Sequence, residues 1–306
     1  MELVIGSRGS KLALWQSEWV RARLAEIDPQ VAVRIEVFKT SGDVRRDVPL
    51  SVIGGQGAFT KELEVALLDG RIDIAVHSLK DLPTVVPEGL RITATPARED
   101  ARDALVLPAG ADNGDASIRN LPEGARVGTS SPRRVAQLKH LRPDIVIKDL
   151  RGNVDTRLRK LDEGEYNAII LASAGLRRLG LADRISAAIE VGEMLPAVGQ
   201  GSLGVETRAD ASETNALVSR LDHPETRAAV VAERALLRHL GGGCQVPIAA
   251  HGRVADGALR LTALVASPDG AEIIRDRVEG AAADAERLGE ALAARLLERG
   301  AASLLQ

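Results

Sequence analysis

Leu3-Val4-Ile5-Gly6, the run from Ser10 to Ile27, and Val31-Ala32-Val33-Arg34-Ile35-Glu36-Val37-Phe38 decide how this chain is read. The two short segments, apolar or alternating and rich in β-branched residues, predict strands. Between them Ala13, Val20, Leu24 and Ile27 fall on one face of a 3.6-residue repeat, which predicts a helix with Ser10 suited to cap its first turn. Strand, helix, strand is a βαβ unit. The alternation continues through a Gly-rich turn at Gly54 to Gly57, a helix from about Thr60 to Leu68 and a strand over Ile72 to Val76. Strands joined through helices run parallel, so the chain opens as an α/β domain with parallel sheet character.

After a loop over Ala109 to Gly124 the pattern restarts. Strands are expected at Arg126 to Gly128, Asp144 to Asp149 and Ala168 to Ala172, with helices opening at Pro132 and running from about Val154 to Leu161. That is a second α/β unit. A third region begins near His223 with a helix to Leu240 and a glycine loop around Cys244. It continues with strands at Leu259 to Ala266 and Glu272 to Val278, joined by the turn Ser267-Pro268-Asp269-Gly270, and ends in a helix over about Ala282 to Arg299. This region is α+β.

The 306 residues, 45% of them hydrophobic, suffice for two or three separate cores. One cysteine excludes an intramolecular disulfide framework. His77, His140, His223, His239 and His251 are too scattered for zinc-ligand spacing, so no metal is expected. Nowhere do about 18 apolar residues run together, and no basic stretch precedes an apolar one at the start, which predicts a cytoplasmic protein with no membrane partner. A net charge of −3 argues against a generally basic nucleic-acid binder, and no nucleic acid is expected. The charge is nevertheless uneven. Between Arg126 and Lys160 ten Lys or Arg face three Asp, either a solvated helical face or a place for something anionic.

Three motifs could carry chemistry. Gly128-Thr129-Ser130-Ser131-Pro132-Arg133-Arg134 lies where a strand passes into a helix, with Pro132 suited to the first helical position. Free amides, hydroxyls and two guanidiniums there suit a carboxylate ligand; capping of neighbouring helices is the other use of such Arg. Leu150-Arg151-Gly152-Asn153, with Arg157 a turn on, repeats the arrangement after the next strand, and ligands of open α/β sheets sit at such carboxyl ends. His77-Ser78-Leu79-Lys80-Asp81-Leu82-Pro83 likewise puts an acid and a base after an apolar strand, although adjacent Lys-Asp pairs are also common on surfaces. Gly199-Gln200-Gly201-Ser202-Leu203-Gly204 spells G-x-G-x-x-G but leads into Val205-Glu206-Thr207 instead of opening a helix, so it is not read as a dinucleotide site. Cys244 follows Gly241 to Gly243. It is either an inert packed thiol or one that the bare backbone presents to another group.

Taken in order, Gly6-Ser7-Arg8 with Leu12 to Gln16, Ile74 to Pro83, Gly128 to Ser131 with Arg133-Arg134, Leu150 to Asn153, Leu195-Pro196-Ala197-Val198-Gly199-Gln200-Gly201 and Gly242-Gly243-Cys244-Gln245-Val246-Pro247 closely resemble the porphobilinogen deaminase family over nearly the whole chain. The resemblance implies two α/β domains of the periplasmic-binding-protein type and a small α+β C-terminal domain. The expected bounds are 1–98 with a return segment 199–219, then 103–195, then 222–306. It also implies that Cys244 carries a dipyrromethane cofactor through a thioether; a monomer is expected. Four porphobilinogens are then added head to tail with loss of ammonia, and water releases hydroxymethylbilane. Each porphobilinogen brings an acetate and a propionate, so a growing chain of six pyrroles holds twelve carboxylates, which calls for concentrated Arg in a protein of net charge −3.

By the same resemblance Lys80, Ser131, Arg133, Arg134 and Arg151 bind the cofactor acids. Arg8, Ser10, Phe59, Arg151, Arg157 and Arg178 meet the substrate. Asp81 is the catalytic carboxylate, steadying positive charge on the ring as ammonia leaves. Gln56 stands where many relatives have Lys, and Val4 where a basic residue often precedes the first motif. A non-catalytic solute-binding protein for carboxylate ligands and a Cys-nucleophile transferase or hydrolase are the rival readings.

Overall fold

The computed structural model describes residues 1–39, 60–242 and 246–305. Gln56, Phe59 and Cys244 lie outside the described residues. In chain order the strands are β1 (Glu2–Arg8), β2 (Ala32–Phe38), β3 (Ile74–Ser78), β4 (Leu90–Ala94), β5 (Asp103–Val106), β6 (Arg126–Gly128), β7 (Val146–Lys148), β8 (Ala168–Ala172), β9 (Ala187–Ala188), β10 (Leu203–Arg208), β11 (Ile248–Ala255), β12 (Ala258–Ala266) and β13 (Ile273–Ala281). The chain divides into two compact units, Met1–Glu99 with Ser202–Arg227, and Asp100–Gly201 with Ala228–Gln306.

In the first unit the sheet order is β2-β1-β3-β10-β4. β1 runs parallel to β2 and β3, as the opening βαβ pattern requires, whereas β10 is antiparallel to both β3 and β4. The sheet is therefore mixed, because its fourth strand returns from a distant part of the sequence. The helix Lys11–Ile27 starts where Ser10 Oγ accepts a hydrogen bond from the Ala13 amide at 3.2 Å. It packs Val20 and Leu24 onto Leu3, Ile5, Ile74 and Val205. The helix Lys61–Leu68 covers the other face with Leu63 and Leu67 against Ile72 and Ala75. Full burial stabilises each such side chain by about 1.5–3 kcal/mol. Gly6 is needed for this close approach: a Cβ there would lie 2.4 Å from Ile72 Cδ1 and 2.9 Å from Leu63 Cδ2.

The third strand sits two residues later than its apolar pattern suggests. The amides of Arg71 and Ile72 both donate to Ala66 O and finish the preceding helix, so the ladder starts at Ile74 and carries His77 and Ser78 to the strand end. Strands β4, β5, β9, β10 and β11 have no counterpart among the expected strands. β5 is buried at all four positions, which erases the period-two alternation that would have betrayed it.

The second unit holds two sheets. One has the order β7-β6-β8-β5-β9, with β6 parallel to β7 and β8 and β5 antiparallel to β8 and β9. The other is the antiparallel meander β11-β12-β13. Its core joins Leu259, Leu261 and Val265 to Leu236 of the helix Pro224–His239 and Leu292 and Leu296 of the helix Ala285–Glu298. The two helices touch at Gly289, where a Cβ would meet Ala232 O at 2.2 Å. The expected turn joins β12 to β13, with the Gly270 amide donating to Ser267 O at 2.9 Å and Gly270 at φ +74°. Among the described residues no helix is long and apolar enough to cross a membrane.

Candidate active site and carboxylate-binding cluster

In the first unit an open recess is lined by Arg8, Ser10, Gln16, His77, Ser78 and Asp81, among others. Arg8 comes from the end of β1, Ser10 from the following helix cap, and His77 and Ser78 from the end of β3. Asp81 is exposed on a single 3-10 turn, Leu79–Asp81, with Lys80 half-buried beside it. This turn is anchored from behind. Gln16 Nε2 donates to Ser78 Oγ at 2.8 Å, and the Leu79 amide donates to Ser202 O at 3.0 Å. Gly204 on β10 leaves room for Leu79, since a Cβ there would come within 2.8 Å of Leu79 Cδ1. Beneath the strand end His77 Nε2 lies 3.0 Å from Glu206 Oε2, both side chains buried. Burial, reinforced by the Glu206 charge, pushes the neighbouring Glu64 carboxyl up, while Thr60 and His77 oppose the shift.

In the second unit the carboxyl ends of β6 and β7 lie side by side, which brings the two glycine-and-arginine motifs together. The Thr129 amide donates to Lys148 O at 3.0 Å. Ser130 Oγ donates to Leu150 O at 2.8 Å and accepts from the Leu150 amide at 3.0 Å, stitching one motif to the other. Ser131 holds the N-cap position of the helix Pro132–Leu141 without a side-chain hydrogen bond to its first turn, and proline takes the first helical position. Arg151 Nε donates to Asp149 Oδ2 at 2.7 Å, and Arg157 Nε to Gly152 O at 2.7 Å. Gly152 takes φ +109°, a conformation that side-chain-bearing residues avoid.

Arg133 and Arg134 turn inward. Arg133 Nη1 donates to Asp103 Oδ2 at 2.7 Å and to Leu195 O at 2.6 Å. Arg134 Nη2 donates to Asp103 Oδ1 at 2.7 Å and its Nη1 to Ile170 O at 2.9 Å. Both side chains are buried and Asp103 is wholly so. Burial works to raise the Asp103 carboxyl, and the two guanidiniums more than offset it, holding the group well below the usual carboxylate range. Burial, joined by the charge of Arg134, pushes the Arg133 guanidinium down against the pull of Asp103. Two buried cations thus share one buried anion, and Arg133 Nε has no hydrogen-bond partner among the described residues. Arg178, also buried, donates from Nη2 to Gly201 O at 2.7 Å.

Asp103 and Glu206 are functional-site residues that no motif in the sequence marks. The available signal was an acid at the head of the otherwise apolar Asp103-Ala104-Leu105-Val106, and one inside the short strand Leu203 to Arg208. The positive run over 126–160 proves to be partly a solvated face as well: Arg142 pairs with Asp144 and Arg159 with Glu163 at the surface.

Two family models match the chain, "Porphobilinogen deaminase, dipyromethane cofactor binding domain" over residues 3–216 and "Porphobilinogen deaminase, C-terminal domain" over residues 227–298. A porphobilinogen deaminase from Pelobacter propionicus is 51% identical over 305 residues, covering 100% of this chain and 96% of its own length. Another, from Chromobacterium violaceum, is 51% identical over 304 residues, covering 99% and 97%. Among solved structures, the L-cystine solute receptor of Neisseria gonorrhoeae aligns at a TM-score of 0.41 and 14% identity over 80% of this chain and 95% of that one. The full-length matches, in agreement with the six motifs in their order, show that this chain belongs to the porphobilinogen deaminase family.

Proposed function

We propose that the chain joins four porphobilinogen molecules head to tail, losing ammonia at each step, on a covalently held dipyrromethane, and releases hydroxymethylbilane by hydrolysis. The observation that carries the reading is the buried positive surplus of Arg133 and Arg134 over Asp103. Buried charge is costly unless balanced, and two guanidiniums sharing one carboxylate at the start of the helix Pro132–Leu141 favour an anionic ligand. Dipyrromethane and porphobilinogen both bring carboxylates, and the residues present fit them.

In this reading Cys244 holds the dipyrromethane through a thioether, with Lys80, Ser131, Arg133, Arg134 and Arg151 binding its acids. When bound, the group supplies the pyrrole carbon to which the first substrate is joined. Arg8, Ser10, Phe59, Arg151, Arg157 and Arg178 hold substrate carboxylates or the incoming ring. Asp81 acts on the ring itself. Its carboxylate accepts from pyrrole N–H and stabilises the positive charge that develops as ammonia departs, an interaction stronger in the transition state than before it. At ~4 Å and an effective dielectric of ~20 such a contact is worth about 4 kcal/mol. The turn bearing Asp81 is anchored by Gln16 and Ser202, so the carboxylate need not be organised anew at each of four additions.

The same reading carries the three-domain division at 1–98 with 199–219, 103–195 and 222–306, and a cytoplasmic monomer acting on a small molecule with neither nucleic acid nor membrane as partner. Incubating the purified chain with porphobilinogen tests it. Ammonia and a linear tetrapyrrole should appear in a ratio of four to one, and intact porphobilinogen after prolonged incubation would refute the assignment.

A further inference from the structure

Beneath the Asp81 turn lies a buried base between two buried acids, His77, Glu206 and Glu64, which the proposed reaction does not use. On the sheet His77 of β3 stands opposite Gly204 of β10 and Ala75 opposite Glu206, so His77 and Glu206 are diagonal neighbours on one face. Glu206 also sits where β10 changes register: Val205 pairs with Ala94 of β4, but Glu206 pairs with Ile92. Such irregularities re-aim side chains and are common beside active sites. Next to this one Glu206 Oε2 lies 3.0 Å from His77 Nε2.

Stability of the fold is a poor reason for this pair. Glu206 Oε1 is buried with no hydrogen-bond partner among the described residues, and so is Oε1 of Glu64 on the helix Lys61–Leu68. Two acids thus meet one imidazole, a cost that hydrocarbon of similar size would avoid. Burial and the Glu206 charge push the Glu64 carboxyl up, which opposes a second negative charge there. His77 meanwhile lines the recess, and Arg8 and Asp81 are the charged groups that share its wall. An imidazole held at one nitrogen by a buried acid keeps the other for a ligand, and the acid faces the charge created when the ring takes a proton.

We propose that His77, with Glu206 as its positioning residue, accepts the proton released each time two pyrrole rings are joined. The inference deepens the deaminase reading above and rests on it. At each addition the protonated amino group of porphobilinogen leaves as ammonia, taking the electron pair of the carbon–nitrogen bond. The α carbon of the terminal ring supplies the pair of the new carbon–carbon bond and then gives up its hydrogen as a proton. His77 takes that proton at Nδ1 and passes it to ammonia, which departs as ammonium and leaves the imidazole neutral for the next addition. Asp81 keeps its separate task of steadying positive charge on the ring.

The test is the full chain carrying His77→Gln or Glu206→Gln, compared with wild type in melting temperature, covalent pyrrole load by intact mass, KM and kcat for porphobilinogen, and kcat for porphobilinogen deuterated at its free α carbon. His77→Gln should keep the wild-type load and lower kcat by about 10², with KM within about threefold. Its turnover should slow further on the deuterated substrate, and by more than wild type slows, because loss of the α hydrogen has become limiting. Glu206→Gln leaves a hydrogen-bonding group beside the ring without its charge, and kcat should fall about tenfold with the same isotope signature. A purely structural role would lower the melting temperature or the load and leave no such signature. One variant that folds and loads suffices to decide. The inference fails if such a variant turns over within about threefold of wild type or slows without the isotope signature, and it fails if neither variant folds and loads. In each case a wild type that still consumes porphobilinogen leaves the deaminase reading standing. A wild type that does not takes both down.

Discussion

The Asp81 recess and the Arg133–Arg134 cluster solve opposite electrostatic problems. In the first, a single carboxylate stands exposed on a short turn, held from behind by neutral hydrogen bonds from Gln16 and to Ser202. In the second, charge is driven into the interior and left unbalanced, two guanidiniums against one carboxylate. An exposed carboxylate is open to a ligand and, in the proposed reaction, acts on a charge that exists only briefly. A buried positive surplus is costly to maintain, and an arriving anion would relieve that cost. Under the proposed function, rate falls to the Asp81 region and retention to the Arg133–Arg134 cluster.

The hardest blow to this contrast is removal of the buried anion. Asp103→Ala leaves Arg133 and Arg134 facing each other in the interior, and the chain should lose about 3–5 kcal/mol of stability, measured by denaturant unfolding. A loss under about 1 kcal/mol would mean that the pair is solvated and the surplus is not buried. The pH dependence sharpens the point. Because the Asp103 carboxyl is held below its ordinary value of 3.8, its contribution is present above that value and disappears as acid protonates it in the folded state. The melting temperatures of wild type and Asp103→Asn should therefore converge as pH falls below about 4.

Next in size is Asp81→Asn, expected to lower turnover by about 10²–10³ while affecting the covalent pyrrole load much less. Wild-type-like tetrapyrrole synthesis would dissolve the division between rate and retention. Arg151→Ala should act more mildly, on the order of tenfold, because its guanidinium is partly exposed and already shared with Asp149. Its signature is stalled elongation, with altered proportions of one- to four-pyrrole adducts by mass spectrometry. An unaltered ladder would remove Arg151 from the retention cluster.

Much of this was legible in the chain itself. The helix Lys11–Ile27 and its Ser10 cap, the strand-to-helix passage at Gly128–Pro132 and the turn before Gly270 follow from local pattern and turn chemistry, and each forms as expected. The anchoring of the site did not show, since it is non-local. Asp103 lies 30 residues from Arg133, and Glu206 lies 129 from His77, so no periodicity connects them. Gln16 and Ser17 sit on the otherwise apolar buried face of the helix Lys11–Ile27, where spacing alone would predict hydrocarbon. The direction of Arg133 and Arg134 was likewise hidden. At a helix N-terminus the sequence offers a carboxylate ligand or the capping of neighbouring helices, and only packing reveals that both side chains meet a buried aspartate.

The account stands on a growing pyrrole chain being held covalently and by charge. Intact mass of the protein purified from cells that make porphobilinogen, native against Cys244→Ser, tests that most directly. The native chain should be heavier than its sequence by two linked pyrroles, and the serine variant should carry far less of that mass. Identical masses, both equal to the bare polypeptide, would contradict it.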